Sequence, residues 1–334
     1  MKWEKSRSVI GPYCKSCPIC NGKDCSNKIP GPGAKDTGTV AIKNYDAWQK
    51  LEVKMDTIAS NNEIDTSFEL FGKTFKYPVF AGPVGAVSQH YSGLYNDNSF
   101  NEVYVNACAK SGIAAFTGDG LNEEIMIQAT RVIKENEGVG VPTIKPWDKE
   151  TCFEKLKLAN ESNAFAIAMD IDTAGLPFLQ GRIPPTGRKS EEELKEIIDY
   201  AKAPFIVKGI MSVEGAQKAI NAGAKGIVVS NHGGRVLDGT PATAVVLEAI
   251  ADKFKGQVKI FVDGGIRSGL DVFKPLALGA DAVIIARPFV NMIYGAGKEG
   301  VEAYVQQLGQ ELENVMMMTD VSSLKEISKK NIYK

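Results

Sequence analysis

Residues 259–288, "KIFVDGGIRSGLDVFKPLALGADAVIIARP", decide the fold. Two short apolar runs rich in Ile, Val and Phe enclose a helical segment, "GLDVFKPLALGA", which stops at Gly279. Strands joined through a helix run parallel, and near-continuous apolar runs fit strands covered on both faces. The same alternation recurs from about residue 78: "PVFAGPV" at 78, "IAAFTGD" at 113, "VPTIKP" at 141, "AFAIAMDID" at 164, "APFIVKGI" at 203, "GIVVSN" at 226, then the two runs at 259 and 282. Eight strands with eight helices predict an α/β fold, a (β/α)8 TIM barrel, over 78–334. An open doubly wound sheet would carry its glycine-rich turn after the first strand. Here the first strand leads into "GPVGAVSQH", and the glycine-rich turns follow strands 6 and 7, which favours the barrel. Residues 1–77 then form a cysteine-rich extension and barrel cap, with a loop "IPGPGAKDTG" and a hairpin around "FELFGKTFKY" placed to cover the barrel's bottom face.

Composition narrows the partners. The chain has 44% hydrophobic and 24% charged residues and a net charge of -1, so it carries no global field that would draw it to nucleic acid or an anionic membrane. Small, locally recognised ligands are expected instead. No apolar stretch approaches the roughly 20 residues of a membrane span, and "MKWEKSRSVI" lacks the apolar core of a signal peptide, which predicts a cytoplasmic protein.

In a barrel the chemistry sits at the C-terminal strand ends. Those ends gather Thr117 and Asp119 after strand 2, Asp172 and Thr173 after strand 4, and Lys208 on strand 5. Ser230, His232 and Arg235 follow strand 6, Asp263 and Arg267 strand 7, and Arg287 strand 8. "DGGIRSG" and "ARP" lie where this architecture usually binds phosphate, with glycines that admit an anion and arginines that offer forked donors.

"SNHGGRVLDGTPA" at 230–242 and "VDGGIRSGLDVFKPLALGADAVIIARP" at 262–288 resemble the signatures of the FMN-dependent α-hydroxy acid oxidases and dehydrogenases, the glycolate oxidase and flavin-linked L-lactate dehydrogenase type. The resemblance implies oxidation of a small 2-hydroxy acid to the 2-oxo acid, with FMN as cofactor. It makes His232 the general base, Asp172 the aspartate that holds it, Lys208 the lysine beside the flavin, and Arg235 the partner of the substrate carboxylate. Asp170 lies on the same strand face as Asp172 and competes for the aspartate's role. The resemblance further implies that FMN is held by Ala81, Gly82 and Pro83 of "FAGPVG", by Thr117, Lys145, Lys208 and Ser230, by Asp263, Gly264, Gly265 and Arg267, and by Ala286 and Arg287. Lys145 stands where the family usually has glutamine. The family's N-terminal substrate-binding tyrosine has no counterpart, and its second carboxylate-binding arginine falls in "AGLPFLQ", which leaves Arg182 or Arg188 as substitutes only if the loop folds back. The resemblance also implies a homo-oligomer, tetramer or octamer, and an electron acceptor that is a protein, a quinone or oxygen. An FMN-dependent isomerase of the same barrel type and a non-catalytic flavoprotein are the alternatives.

Cys14, Cys17, Cys20 and Cys25 give C-x2-C-x2-C-x4-C, four thiolates suited to zinc or an iron–sulfur cluster, although free thiols in a flexible arm fit as well. The remaining singular residues take structural readings: His90 as a polar residue at the rim, Trp48 and Trp147 as packing, and the Met316–Met318 run as core filling.

Overall fold

The computed structural model describes residues 2–333. All eight runs form strands, numbered here along the barrel: β1 Val79–Ala81, β2 Phe116–Thr117, β3 Val141–Ile144, β4 Ile167–Asp170, β5 Phe205–Ile210, β6 Gly226–Val229, β7 Lys259–Asp263 and β8 Ala282–Ile285. From β2 to β8 each pairs in parallel with the next in sequence. Strand β8 pairs with β1, and a parallel bridge between Ala81 and Ala115 closes the ring, so no edge is left open. A helix follows every strand. The expected serine cap is present at Ser212, whose hydroxyl accepts the Gly215 N–H at 3.0 Å.

Side chains fill the barrel. Phe80, Phe116 and Phe261 meet edge to face, with ring centroids 5.7 to 6.2 Å apart. The hairpin Phe68–Leu70 and Lys73–Phe75 turns at Phe71 and Gly72, both at positive φ, and Phe75 meets Phe80 edge to face at 5.0 Å. Its apolar face closes the end of the barrel away from the catalytic strand ends.

The rest of the extension travels to the opposite end. From Gly11 to Gly38 it makes only turns, yet it lies across the C-terminal mouth: Lys35 N–H donates to Gly234 O at 2.8 Å and Arg267 Nε to Cys20 O at 2.7 Å. The helix Thr39–Lys50 then packs on the turns and helices that follow β6 and β7, where Trp48 Nε1 donates to Gly264 O at 2.7 Å. Among the described residues no helix is long and apolar enough to cross a membrane.

Candidate active site

Parallel register places Asp170 of β4 directly beside Lys208 of β5. The two side chains are buried and 3.4 Å apart, and Asp263 of β7 approaches the same ammonium at 3.7 Å. Burial alone would pull the Lys208 pKa down, but Asp170, Asp172 and Asp263 more than reverse this and hold it above its ordinary value. For Asp170, burial opposes ionisation while Lys208, His232 and Lys145 favour it, and the net direction is down. Asp263 moves the other way: burial raises it despite Lys208 and a 2.9 Å hydrogen bond from Ser230.

A bulge in β5 between Lys208 and Ile210 brings the next carboxylate in. Gly209 has φ +106, and a Cβ there would sit 2.6 Å from the Cβ of Asp172, so only glycine admits that approach. Asp172 Oδ1 lies 3.1 Å from His232 Nδ1. With Nδ1–H donating to the carboxylate, the lone pair of a neutral ring sits on Nε2. Asp170, two residues earlier, pairs with Lys208 and with Lys145, at 3.8 Å, and not with the histidine.

His232, Gly233 and Gly234 all have positive φ, forming a tight turn after β6. A Cβ on Gly234 would lie 2.6 Å from Val40 and 2.9 Å from Ala34, so this glycine makes room for the N-terminal extension, not for a substrate. The turn is held from beneath by Asn231, whose amide pairs reciprocally with that of Asn44 at 2.8 and 3.0 Å. Ser230 Oγ accepts the His232 N–H at 3.1 Å.

A cavity of about 360 Å³ opens at this end, a size ordinary for small-ligand sites. Of the residues expected around the cofactor and substrate, Gly82, Pro83, Lys145, Lys208, His232, Arg235, Asp263, Gly264, Gly265, Arg267, Ala286 and Arg287 line it. Ala81, Thr117 and Ser230 do not: all three are fully buried behind the wall, Ala81 in the β8–β1 ladder and Ser230 bonded to Asp263 and His232. Asp172 also stands back, touching the cavity through His232. Arg182 and Arg188 are exposed and outside it, so neither replaces the second arginine.

Arginines dominate the mouth. Arg267 spends Nε on Cys20 O and Nη1 on Ile266 O, while its buried Nη2 has no partner among the described residues. Such an orphaned donor, beside Arg287 and the turn at Gly264 and Gly265, fits the phosphate of an anionic cofactor.

Three of the four N-terminal thiols point to separate acceptors. Cys14 donates to Asn291 Oδ1, Cys17 to Asp24 and Cys25 to the Gly22 carbonyl, at 3.4, 2.7 and 3.8 Å. Among the described residues the one set of three or more His, Cys, Asp or Glu ligand atoms within 4.8 Å is Asp170, Asp172 and His232. There the Lys208 ammonium, 3.3 Å from His232 Nδ1, already supplies the positive charge. The spacing of the cysteines is thus not matched by a gathered set of sulfurs. Burial foremost, against the Ser16 N–H and with neighbouring thiols, pushes Cys14 up to about 11, and burial followed by the Asp24 carboxylate pushes Cys17 up to about 12, so both are held as thiols.

Two residues take roles here that the sequence did not assign them. His90 is not at the rim but 7% exposed and on the cavity wall. Asp119 is buried and anchors the end of β3, accepting from Lys145 N–H at 3.1 Å, Trp147 Nε1 at 2.6 Å and Lys155 Nζ at 2.7 Å.

A barrel whose catalytic end gathers a lysine and arginines around a histidine–carboxylate pair belongs with the enzymes that work on an anionic cofactor at the strand ends. The chain is a member of the FMN-dependent dehydrogenase family, whose profile matches residues 31–182 and 178–334. It is 30% identical to an L-lactate dehydrogenase of Alcaligenes faecalis over 86% of this chain and 88% of that protein. A shorter match, 48% identical, covers 41% of the chain and 35% of an L-lactate dehydrogenase of Xanthomonas euvesicatoria pv. vesicatoria. Among solved structures, a lactate oxidase of Pediococcus acidilactici superposes with a TM-score of 0.79 at 26% identity, covering 99% of this chain and 92% of that one. A mandelate oxidase variant crystallised with 2-hydroxy-phenylacetamide shares the fold, with a TM-score of 0.80 at 24% identity over 99% and 96% of the two chains. The protein is an FMN-dependent α-hydroxy acid oxidoreductase.

Proposed function

We propose that this protein oxidises a small 2-hydroxy acid of the lactate or glycolate type to the corresponding 2-oxo acid. The observation that carries the reading is the 3.1 Å pairing of His232 with Asp172 on the wall of a cavity that also presents Arg235. FMN, when bound, supplies the acceptor for the electron pair that leaves the substrate carbon. His232 takes the hydroxyl proton on Nε2, and the imidazolium so formed is stabilised by Asp172 at Nδ1. Arg235 binds the carboxylate and sets which face of the substrate meets the base. Lys208 places a fixed positive charge beside the cofactor site, where negative charge grows on reduction. Arg267 and Arg287 hold the phosphate. Leu176, Phe178 and Leu179 on the same wall support a substrate whose side chain is small and apolar.

Anaerobic mixing of the FMN-loaded protein with lactate, glycolate or mandelate tests this. Rapid bleaching of the flavin by at least one of them is the expected result; a flavin that all three leave oxidised refutes the reading and raises the isomerase and non-catalytic alternatives. Metal at Cys14, Cys17, Cys20 and Cys25 would require the loop to turn its thiols inward from their present acceptors. Iron, sulfide and zinc analysis of protein purified without oxygen decides that point, and a metal-free protein with a full flavin complement rules it out.

A further inference from the structure

We infer that His90 is a second substrate-binding residue, donating from Nε2 to the same carboxylate that Arg235 holds. The inference rests on the hydroxy-acid reading above.

The geometry at the ring carries it. The backbone N–H of Gly31 donates to His90 Nδ1 at 3.0 Å, in a buried hydrogen bond. A backbone amide can only donate, so Nδ1 holds the lone pair and the single proton of the neutral ring is on Nε2. Nε2 in turn lies 3.5 Å from Arg235 Nη2. Guanidinium nitrogens are donors as well, so this contact sets donor against donor and cannot be a hydrogen bond. Two N–H groups converging on one point in a cavity wall need a shared acceptor, and a carboxylate oxygen accepts both.

The surroundings call for an anion. Arg235 Nη1 is engaged by the carbonyls of Gly31 and Gly33 at 2.6 and 2.9 Å, which fixes the guanidinium while neutralising none of its charge. Among the described residues no carboxylate pairs with it, and burial foremost pulls it down to about 10, the mark of a cation lacking its counterion. His90 itself is pushed down to about 3, by burial first and then by Arg235 and Lys145, so it stays neutral and keeps the tautomer that donates into the cavity. Its ring is braced by Phe178, with centroids 5.3 Å apart. The segment Gly31–Gly33 therefore does two things at once: its N–H selects the histidine tautomer and its carbonyls aim the arginine.

Oxalate, a dianion that no flavin can oxidise through a C–H bond, is the probe. Calorimetric titration of FMN-loaded protein is expected to give oxalate binding that weakens about 10- to 100-fold in His90→Phe, the worth of one hydrogen bond to a charged acceptor. Phe keeps the packing on Phe178 and removes both nitrogens; His90→Ala serves as the second variant if His90→Phe does not retain FMN. The ratio of kcat/KM for lactate over methyl lactate is expected to fall by the same factor, since the ester lacks the charge that His90 reads, whereas a merely structural residue would lower both and leave the ratio alone. Equal oxalate affinity in native and variant proteins, or an unchanged acid-to-ester ratio, overturns the inference while leaving the hydroxy-acid reading standing. Failure of native protein to bind oxalate overturns it too. If instead lactate, glycolate and mandelate all leave the native flavin oxidised, the hydroxy-acid reading falls, and the oxalate titration still decides His90.

Discussion

Asn44→Ala tests whether the N-terminal extension holds the catalytic turn in place. Asn44 is fully buried, and its amide makes three hydrogen bonds: Nδ2 to Asn231 Oδ1 at 2.8 Å, Oδ1 from Asn231 Nδ2 at 3.0 Å and Oδ1 from the Thr243 N–H at 3.1 Å. Truncation removes all three and leaves the Thr243 N–H buried without an acceptor. Asn231 retains Gly233 N–H and Pro241 O, at 3.1 and 2.9 Å, so the turn is loosened rather than released. At about 1 kcal/mol for each bond, the expected loss is about 3 kcal/mol. Asn231→Ala and the double variant complete a cycle in which the two bonds shared by the amides give a coupling of about 1 to 3 kcal/mol. Equilibrium urea unfolding, followed by tryptophan fluorescence and by release of flavin, measures the stability; anaerobic stopped-flow measures flavin reduction, which is expected to slow because His232 directly follows Asn231. The reasoning is refuted if Asn44→Ala stays within about 0.5 kcal/mol of the native protein and reduces its flavin equally fast.

Four further outcomes are expected. His232→Ala should keep FMN yet slow reduction by the hydroxy acid about 10²- to 10⁴-fold, with dithionite reduction unchanged; a native-like rate removes His232 from the base's role. Arg267→Ala should weaken FMN retention by about 1.5 to 3 kcal/mol in fluorescence titration, and an unaltered Kd would take Arg267 off the phosphate. Gly234→Ala should cost about 2 to 4 kcal/mol, from a positive φ together with contacts of 2.6 and 2.9 Å to Val40 and Ala34, and a urea midpoint equal to native would show that the extension yields instead. Because His90 titrates near 6.5 when unfolded but is held to about 3 in the fold, the unfolded chain binds the extra proton and stability falls as pH drops through that window, by about 2 kcal/mol at about pH 5. His90→Phe should lack this part of the acid slope, so matching urea midpoint shifts between pH 7 and pH 5 in both proteins would contradict it.

The barrel was legible because it is written in local pattern. Short runs of Val, Ile and Phe separated by helical segments recur eight times, and each βα unit repeats the same demand for burial on two faces. The residues after β5 to β8 were legible for a related reason: strand ends on one side of a barrel converge whatever the loops do, so Lys208, His232, Arg235, Asp263, Arg267 and Arg287 meet at one cavity. The resemblance pointed to Asp172 as the histidine's partner, but local pattern did not separate it from Asp170. Alternation would put Asp170 and Asp172 on one strand face, but β4 ends at Asp170 and a 3-10 turn over Ile171–Gly175, packed against Gly209, brings Asp172 to His232 and leaves Asp170 to Lys208. The course of residues 11–38 was equally hidden, since a segment without periodicity gives no direction of travel, and its position over the mouth follows from hydrogen bonds to Gly234, Arg235 and Arg267 some two hundred residues away. His90 read as an ordinary loop histidine for the same reason: its neighbours in the chain are uninformative, and its chemistry is set by Gly31, Arg235 and Phe178, which tertiary folding alone brings to it.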